Sequence, residues 1–300
     1  MPRSGLLWPA TFILCAIFGL LDLSVQGDAA GDAALAAKLH AERTSPEDLE
    51  VAGDLAGFSA GATRYLTRDD LLSVAQVTFT VRDDNFVQPA PVSGVPLEEL
   101  ARDLGVAPSA DLVVAICDDK YRANYSRAYL AEHHPVLVLA VDGQPPSGWP
   151  KDPGGHDMGP YLISHAKFTP AFKILSHSDE PQIPWGVVRL EFRKEAVVFG
   201  AIAPRGTSAN DPAVRDGFKI AQQNCFRCHN LDGEGGQKSR VPWTVLALVA
   251  DNSPNYFAQY VRNPIAANPQ SQMEASPEYD DATMHALIAY FRTFAAAEKP

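Results

Sequence analysis

Cys225-Phe226-Arg227-Cys228-His229 is the stretch on which the reading of this chain turns. Cys-x-x-Cys-His is the attachment signature of a c-type haem, because two thiols three positions apart can each form a thioether to a vinyl group of one porphyrin. The histidine that follows is then held beneath the iron, where an imidazole nitrogen is a suitable proximal ligand. A structural zinc site would need a second Cys/His pair at metal spacing, and the other cysteines, Cys15 and Cys117, stand alone. A redox-active Cys-x-x-Cys is expected beside a βαβ pattern and gains nothing from the trailing histidine. The pentapeptide therefore predicts one haem c, bound covalently by Cys225 and Cys228 with His229 on the iron.

Working outward, Ala203 to Asn210 is polar, aperiodic and carries Pro204, Gly206 and Ser208, which makes it the natural domain boundary. Asn210 or Asp211 then caps a helix with Pro212 in its first turn. From here to the C-terminus, assigned as 205–300, the chain resembles class I cytochromes c. Gly217-Phe218 matches the family's first helix and Tyr290, within Leu287 to Phe291, its last, where the two cross tightly. A middle helix from Ser253-Pro254 to Asn263-Pro264 also fits. The resemblance implies a second axial ligand from the loop that follows, and Met273, between Asn268 and Pro277, occupies that place. Thioether sulfur is soft and favours ferrous iron. Met284 sits at helical spacing with Leu287 and Ile288, as a core methionine would. His285 beside it would give a bis-histidine haem. Glu274 stands where the family usually has Pro after the methionine. Pro242, after Val241 in place of the usual Gly, is expected to fix the proximal histidine through its carbonyl. Arg227, Lys238, Arg240 and Arg262 are expected to rim the haem, where they could steer an acidic partner.

The chain has 300 residues, 46% hydrophobic and 20% charged, an ordinary globular composition with room for one or two domains. A net charge of −11 argues against nucleic acid and anionic membrane surfaces as partners. Arg3 followed by the apolar run Leu6 to Leu21 predicts a secretory signal peptide over residues 1–27, with Val25-Gln26-Gly27 or Ala29-Ala30 at the cleavage point. An uncleaved anchor is the alternative, since the run approaches the length needed to span a bilayer. Export suits covalent haem attachment, which is completed outside the cytoplasm in bacteria, and predicts a periplasmic protein with no membrane contact after cleavage. Residues 28–49, acidic and alanine-rich at their start, are expected to form an exposed mature N-terminus.

Residues 50–204 predict an α+β domain, a mixed sheet with short helices, ahead of an all-α haem domain. Val77 to Val81 is β-branched and aromatic, and Leu112 to Ile116 and Val136 to Val141 read as buried strands. Val188, Leu190 and Phe192 alternate with Arg189, Glu191 and Arg193 as in a half-exposed strand, and Val197 to Phe199 is expected to pair with it as a hairpin. Helices are expected over Arg68 to Ser73 behind Thr67, Leu97 to Leu104 behind Pro96, and Arg127 to Glu132 behind Ser126. Gln144 to Pro160, dense in Pro and Gly, reads as a long loop.

This region resembles the molybdopterin-binding domain of the sulfite-oxidase-like family. The residues that carry the resemblance are Tyr65 to Leu72 with the Val77 to Val81 strand, Ser93-Gly94-Val95-Pro96-Leu97, the strand ending at Cys117 with Asp119 to Arg122 after it, and Gly159-Pro160. It implies Cys117 as a molybdenum ligand, with Lys120, Arg122 and Arg127 near a pterin phosphate. In the family's active members a small residue and Asn-Arg follow that cysteine; here Asp118-Asp119-Lys120 does, and two carboxylates beside a thiolate disfavour it and repel an oxyanion. As a plain residue, Cys117 is a small buried hydrophobe closing a strand. His133, His134, His156, His165 and His177 show no metal-ligand spacing and read as solvated or locally bonded.

Three roles follow. In the first, the chain is a single-electron carrier whose N-terminal domain docks a periplasmic redox partner: a dehydrogenase, an oxidase or another cytochrome. In the second, it is a molybdopterin oxidoreductase that exchanges electrons with its own haem. In the third, the N-terminal domain senses a small ligand or redox state. A six-coordinate His/Met haem has no open position for a substrate, so the haem domain moves single electrons; the missing Asn-Arg after Cys117 favours the first role, while fusion of a sulfite-oxidase-like domain to a cytochrome makes chemical sense for the second.

Overall fold

The computed structural model describes residues 34–59 and 61–295. The signal-peptide reading and Cys15 lie outside them. The N-terminal part contains strands β1 (Leu49–Gly53), β2 (Thr63–Leu66), β3 (Val77–Val81), β4 (Ala90–Pro96), β5 (Leu112–Cys117), β6 (Arg122–Ser126), β7 (Val136–Val141), β8 (Leu162–Ser164), β9 (Lys173–Ile174), β10 (His177–Ser178) and β11 (Val187–Arg193). Interleaved with them are helices α1 (Arg68–Leu72), α2 (Leu97–Asp103), α3 (Arg127–His133) and α4 (Glu195–Gly200). Local chemistry starts two of these helices: Thr67 and Asp70 form a reciprocal capping box on α1, and the Ser126 hydroxyl accepts from the Tyr129 amide on α3.

The strands form a five-stranded sheet in the order β2-β1-β11-β5-β6, parallel only between β1 and β11, and a four-stranded antiparallel sheet in the order β3-β4-β7-β8. One core gathers Val113, Ala115, Leu190 and Phe192 from the first sheet with Leu137, Leu139 and Ile163 from the second. β5 is apolar throughout because both its faces are covered. Val113, Ala115 and Cys117 belong to that core, while Leu112 and Val114 belong to the core of the C-terminal helices.

The C-terminal part contains α5 (Pro212–Gln223), a short hairpin of β12 (Asn230–Leu231) and β13 (Glu234–Gly235), then α6 (Trp243–Asn252), α7 (Pro254–Arg262), α8 (Pro264–Ala267) and α9 (Asp281–Ala295). Asp211 caps α5 by accepting from the Ala213 amide at 2.8 Å. α5 and α9 cross where Gly217 meets the chain opposite: a Cβ built there would stand 2.1 Å from the Ala286 carbonyl oxygen. The Phe218 and Tyr290 rings pack beside the crossing, 5.6 Å apart.

Two expectations are corrected here. Val197 to Phe199 is not a hairpin strand but lies in α4, and β11 takes β1 and β5 as its neighbours. The Glu195 amide donates to Asp111 Oδ1 at 2.7 Å, which starts a helical turn, and Val198 and Ile202, four apart, bury into the core of the C-terminal helices. Tertiary burial there outweighs β-branched propensity. Residues 34–49 are largely exposed but tied to the fold at both ends: Leu35 is fully buried, its amide donates to Asp103 O at 2.9 Å, and Asp48 is buried under hydrogen bonds from Thr44 and Ser45. Finally, the polar linker does not separate two independent cores. β5 and α4 contribute to the same apolar cluster as α5, α6 and α9, and the Tyr290 hydroxyl donates to Ile202 O at 2.6 Å.

Candidate haem-binding site

α5 delivers the chain into a single 3-10 turn, Cys225–Arg227, closed by hydrogen bonds from the Cys228 and His229 amides to Cys225 O. Phe226 points into the core against Trp243, with ring centroids 5.6 Å apart, so the two cysteines and the histidine are held on a fixed turn. The chain then doubles back under it. A Cβ on Gly236 would fall 1.7 Å from Arg227 O and one on Gly235 2.4 Å from His229 O, so only glycine lets this strand pass the turn.

His229 is buried, and its Nδ1 lies 2.7 Å from Val241 O. A carbonyl can only accept, so Nδ1 carries the ring proton and Nε2 keeps its lone pair for a metal. Burial lowers the His229 pKa and so favours the neutral, ligating imidazole, although the Val241 contact acts the other way. The carbonyl is that of Val241, not Pro242 as expected. Pro242 instead caps α6, where its fixed backbone sets the approach of the preceding residue.

The thiols are unpaired. Burial pushes Cys225 up to about 12 and Cys228 to about 11, so both are thiols at neutral pH. In c-type attachment it is a thiol S–H of this kind that adds across a vinyl double bond. Beyond Val241, itself exposed, α6 turns Trp243, Ala247 and Ala250 into the core and leaves Val245 and Leu248 exposed, so that the three make an apolar stripe. That stripe starts at the residue holding His229, where an apolar macrocycle would need a wall. The residues present therefore fit a haem.

Met273 is half-buried against the C-terminal core, and its amide donates to Ser271 Oγ, which also accepts from the Tyr260 hydroxyl at 3.0 Å. Met284 is buried inside α9 and His285 is exposed. Of the two methionines, Met273 alone lies on the loop between α8 and α9.

The basic residues expected to rim the haem are mostly engaged elsewhere. Arg227 is buried and paired with Glu180 at 3.1 Å, Lys238 with Asp119 at 2.8 Å, and Arg262 with Asp281 and Tyr279 O. The Arg227 and Lys238 pairs belong to a seam between the haem motif and the N-terminal region. Glu234 of β13 is held by Arg193 of β11 and Arg122 of β6, and the Gln237 amide donates to Lys120 O at 2.9 Å.

A second part of the seam was not legible in the histidine spacing. Asn224, adjacent to Cys225, donates to the Tyr279 hydroxyl at 2.8 Å, and that hydroxyl donates to His177 Nδ1 at 2.8 Å. His177 Nε2 donates to Gln223 Oε1 at 2.6 Å; the Gln223 amide nitrogen donates to Asp179 Oδ1; and Asp179 Oδ2 accepts from His133 Nε2 at 2.9 Å. His133, His177 and Asp179 are all buried, so the chain of bonds fixes each ring's tautomer without water.

Cys117 does not fit molybdenum. Its side chain is in the aliphatic core at 4% exposure, and burial with Asp119 and Asp118 beside it drives the thiol far above its ordinary range. Asp118 to Lys120 form the tight turn between β5 and β6, closed by Lys120 N to Cys117 O at 2.9 Å. Two of the three cations that a pterin phosphate would need are committed: Arg122 faces Glu234, and Arg127 donates to Pro108 O at 2.6 Å, while Lys120 is exposed.

Residues 212–291 match the family model described as Cytochrome C oxidase, cbb3-type, subunit III. This helical part of the chain matches a cytochrome c domain and is joined to an N-terminal region of mixed α/β sheets. A cytochrome c domain implies haem c and electron transfer. Among solved structures the chain is similar to the sulfane dehydrogenase SoxCD from Paracoccus pantotrophus, at 14% identity and a TM-score of 0.35, over 57% of this chain. It spans 45% of the length of that protein's chain. No curated protein was found to be similar to it.

Proposed function

We propose that the chain is a periplasmic single-electron carrier with one haem c, attached through Cys225 and Cys228, with His229 and Met273 as axial ligands and the N-terminal region serving to dock a redox partner. Such a group, when bound, supplies reversible one-electron transfer and, with both axial positions filled, no site for substrate. The observation that carries the reading is the His229 ring, held by Val241 O in the tautomer that frees Nε2, on the same turn as the unpaired Cys225 and Cys228.

The residues around the motif hold and orient the site. Phe226 and the glycine pair Gly235-Gly236 set the turn, and Val241 O fixes the proximal ring. Arg227, Gln223 and Glu234 fasten the motif to the N-terminal sheets. With the motif's N-terminal side covered in this way, an external partner meets the chain through the N-terminal region or through the opposite side, where Val245 and Leu248 lie.

The test is a spectroelectrochemical titration of protein matured in an exporting host. The proposal predicts a single one-electron Nernst wave and a low-spin ferric spectrum that does not change when small haem ligands such as imidazole are added at low concentration. A high-spin spectrum with an open coordination position would contradict it.

A further inference from the structure

The second position between the two haem-attachment cysteines holds an arginine that water scarcely reaches: Arg227 is 7% exposed. What covers it is the N-terminal region. The Cys225–Arg227 turn packs against β6, and the guanidinium reaches Glu180, in the segment after β10, at 3.1 Å, with the Tyr121 hydroxyl beside it. Burial opposes its charge, but Tyr121, Glu180 and Glu274 outweigh that and keep Arg227 a cation. Its Nε has no hydrogen-bond partner among the described residues. A buried ion pair adds little net stability, and an unmet donor subtracts from it, so fastening the motif does not by itself account for a charge at this position.

The charges around Arg227 are not buried to the same degree. The Glu180 side chain is 36% exposed, Glu274 is exposed, and so are Lys238 and Asp119, which pair with each other. Water and salt screen an exposed charge far more than a buried one. At the Cys225 sulfur the field of Arg227 therefore outweighs that of Glu180; at Cys228, Lys238 outweighs Glu274 and Arg227 outweighs Asp119. The attachment turn thus carries a net positive potential in a chain whose overall charge is −11. One-electron reduction lowers the charge of a haem by one, so a fixed cation close by favours the ferrous form.

We propose that Arg227, kept out of water by the N-terminal region, is a tuning residue that raises the reduction potential of the haem attached beside it, with Glu180 moderating the effect. The inference rests on the haem reading above. It gives the N-terminal region a role at the haem itself, beyond docking a partner.

Spectroelectrochemical titration near pH 7 of the full haem-loaded chain and three variants tests it. Arg227→Met keeps an unbranched side chain without the charge, and should lower the equilibrium constant for one-electron reduction by on the order of tenfold, about 59 mV. Arg227→Lys restores the charge and should return the potential to within about twofold of the parent, about 18 mV. Glu180→Gln should move the other way and raise the constant by at least about twofold, about 18 mV. A merely structural role for Arg227 would give neither shifts of opposite sign nor rescue by lysine. An Arg227→Met potential equal to the parent's, an Arg227→Lys potential as low as that of Arg227→Met, or no rise in Glu180→Gln would overturn the proposal. Glu180→Gln decides it alone where Arg227→Met fails to mature. A parent chain with no covalent haem in its intact mass would instead overturn the haem reading, so the two failures are told apart.

Discussion

His177 Nε2 donates to Gln223 Oε1 at 2.6 Å, joining a buried histidine of the N-terminal region to a glutamine two residues before the first haem-attachment cysteine. Gln223 also donates to Asp179, so one side chain ties α5 to His177 in β10 and to Asp179 just after it. The haem motif is thus built onto the sheets through satisfied buried hydrogen bonds, and loss of one partner leaves the others unpaired.

Gln223→Leu should therefore destabilise the chain by about 1–3 kcal/mol, the cost of leaving His177 Nε2–H and Asp179 Oδ1 without a partner. Urea unfolding followed by fluorescence would measure it. A midpoint equal to that of the parent would show that the seam contributes nothing to stability.

The α5–α9 crossing gives a second test. Ala would gain about 1 kcal/mol over Gly in helix propensity, but its methyl would meet the Ala286 backbone oxygen, which no rotamer change can move. Gly217→Ala should lower stability by about 2 kcal/mol, and heme-loaded yield with it; a gain in stability would contradict the tight crossing.

The Gly217 contact was legible because close helix packing leaves a local mark: a glycine beside an aromatic on one helix and an aromatic on the other. Cys225, Cys228 and His229 stood out for a similar reason, since their spacing is set by one turn of chain. The apolar residues of β5, β7 and β11 read as strands because burial on one or both faces writes itself as period two or as a continuous run, whereas β3, mostly exposed, was legible from its β-branched and aromatic residues. The α4 helix was missed because Val198 and Ile202 are buried by α5 and α9, partners far along the chain. His133, His165 and His177 appeared scattered because the fold, and not the spacing, gathers them around Tyr129, Asp179 and Gln223. Pro242 was expected to hold His229 where Val241 does, a one-residue difference that only the backbone path settles.

His165 predicts a pH dependence. Its pKa falls from about 6.5 unfolded to about 4 folded, so the unfolded chain binds the extra proton between these values. The contribution is fully present above pH 6.5 and is lost as pH drops toward 4, by on the order of 3 kcal/mol. His165→Asn should flatten the decline of the urea midpoint across that window. An equally steep decline would place the titration elsewhere.

The axial assignment is tested by substitution. Met273→Ala should remove the weak red absorption of the ferric protein that reports sulfur ligation, and lower the reduction potential, while Met284→Leu should preserve both and cost only packing. The reverse result would exchange the two methionines.

The most direct test of the central claim is the intact mass and the iron and molybdenum content of the chain exported with haem maturation and molybdopterin synthesis both active. One covalent haem and one iron per chain, no molybdenum, and neither haem nor iron in Cys225→Ser/Cys228→Ser is the predicted result. A chain without covalent haem, or one that retains it in the double variant or carries stoichiometric molybdenum, would contradict the account.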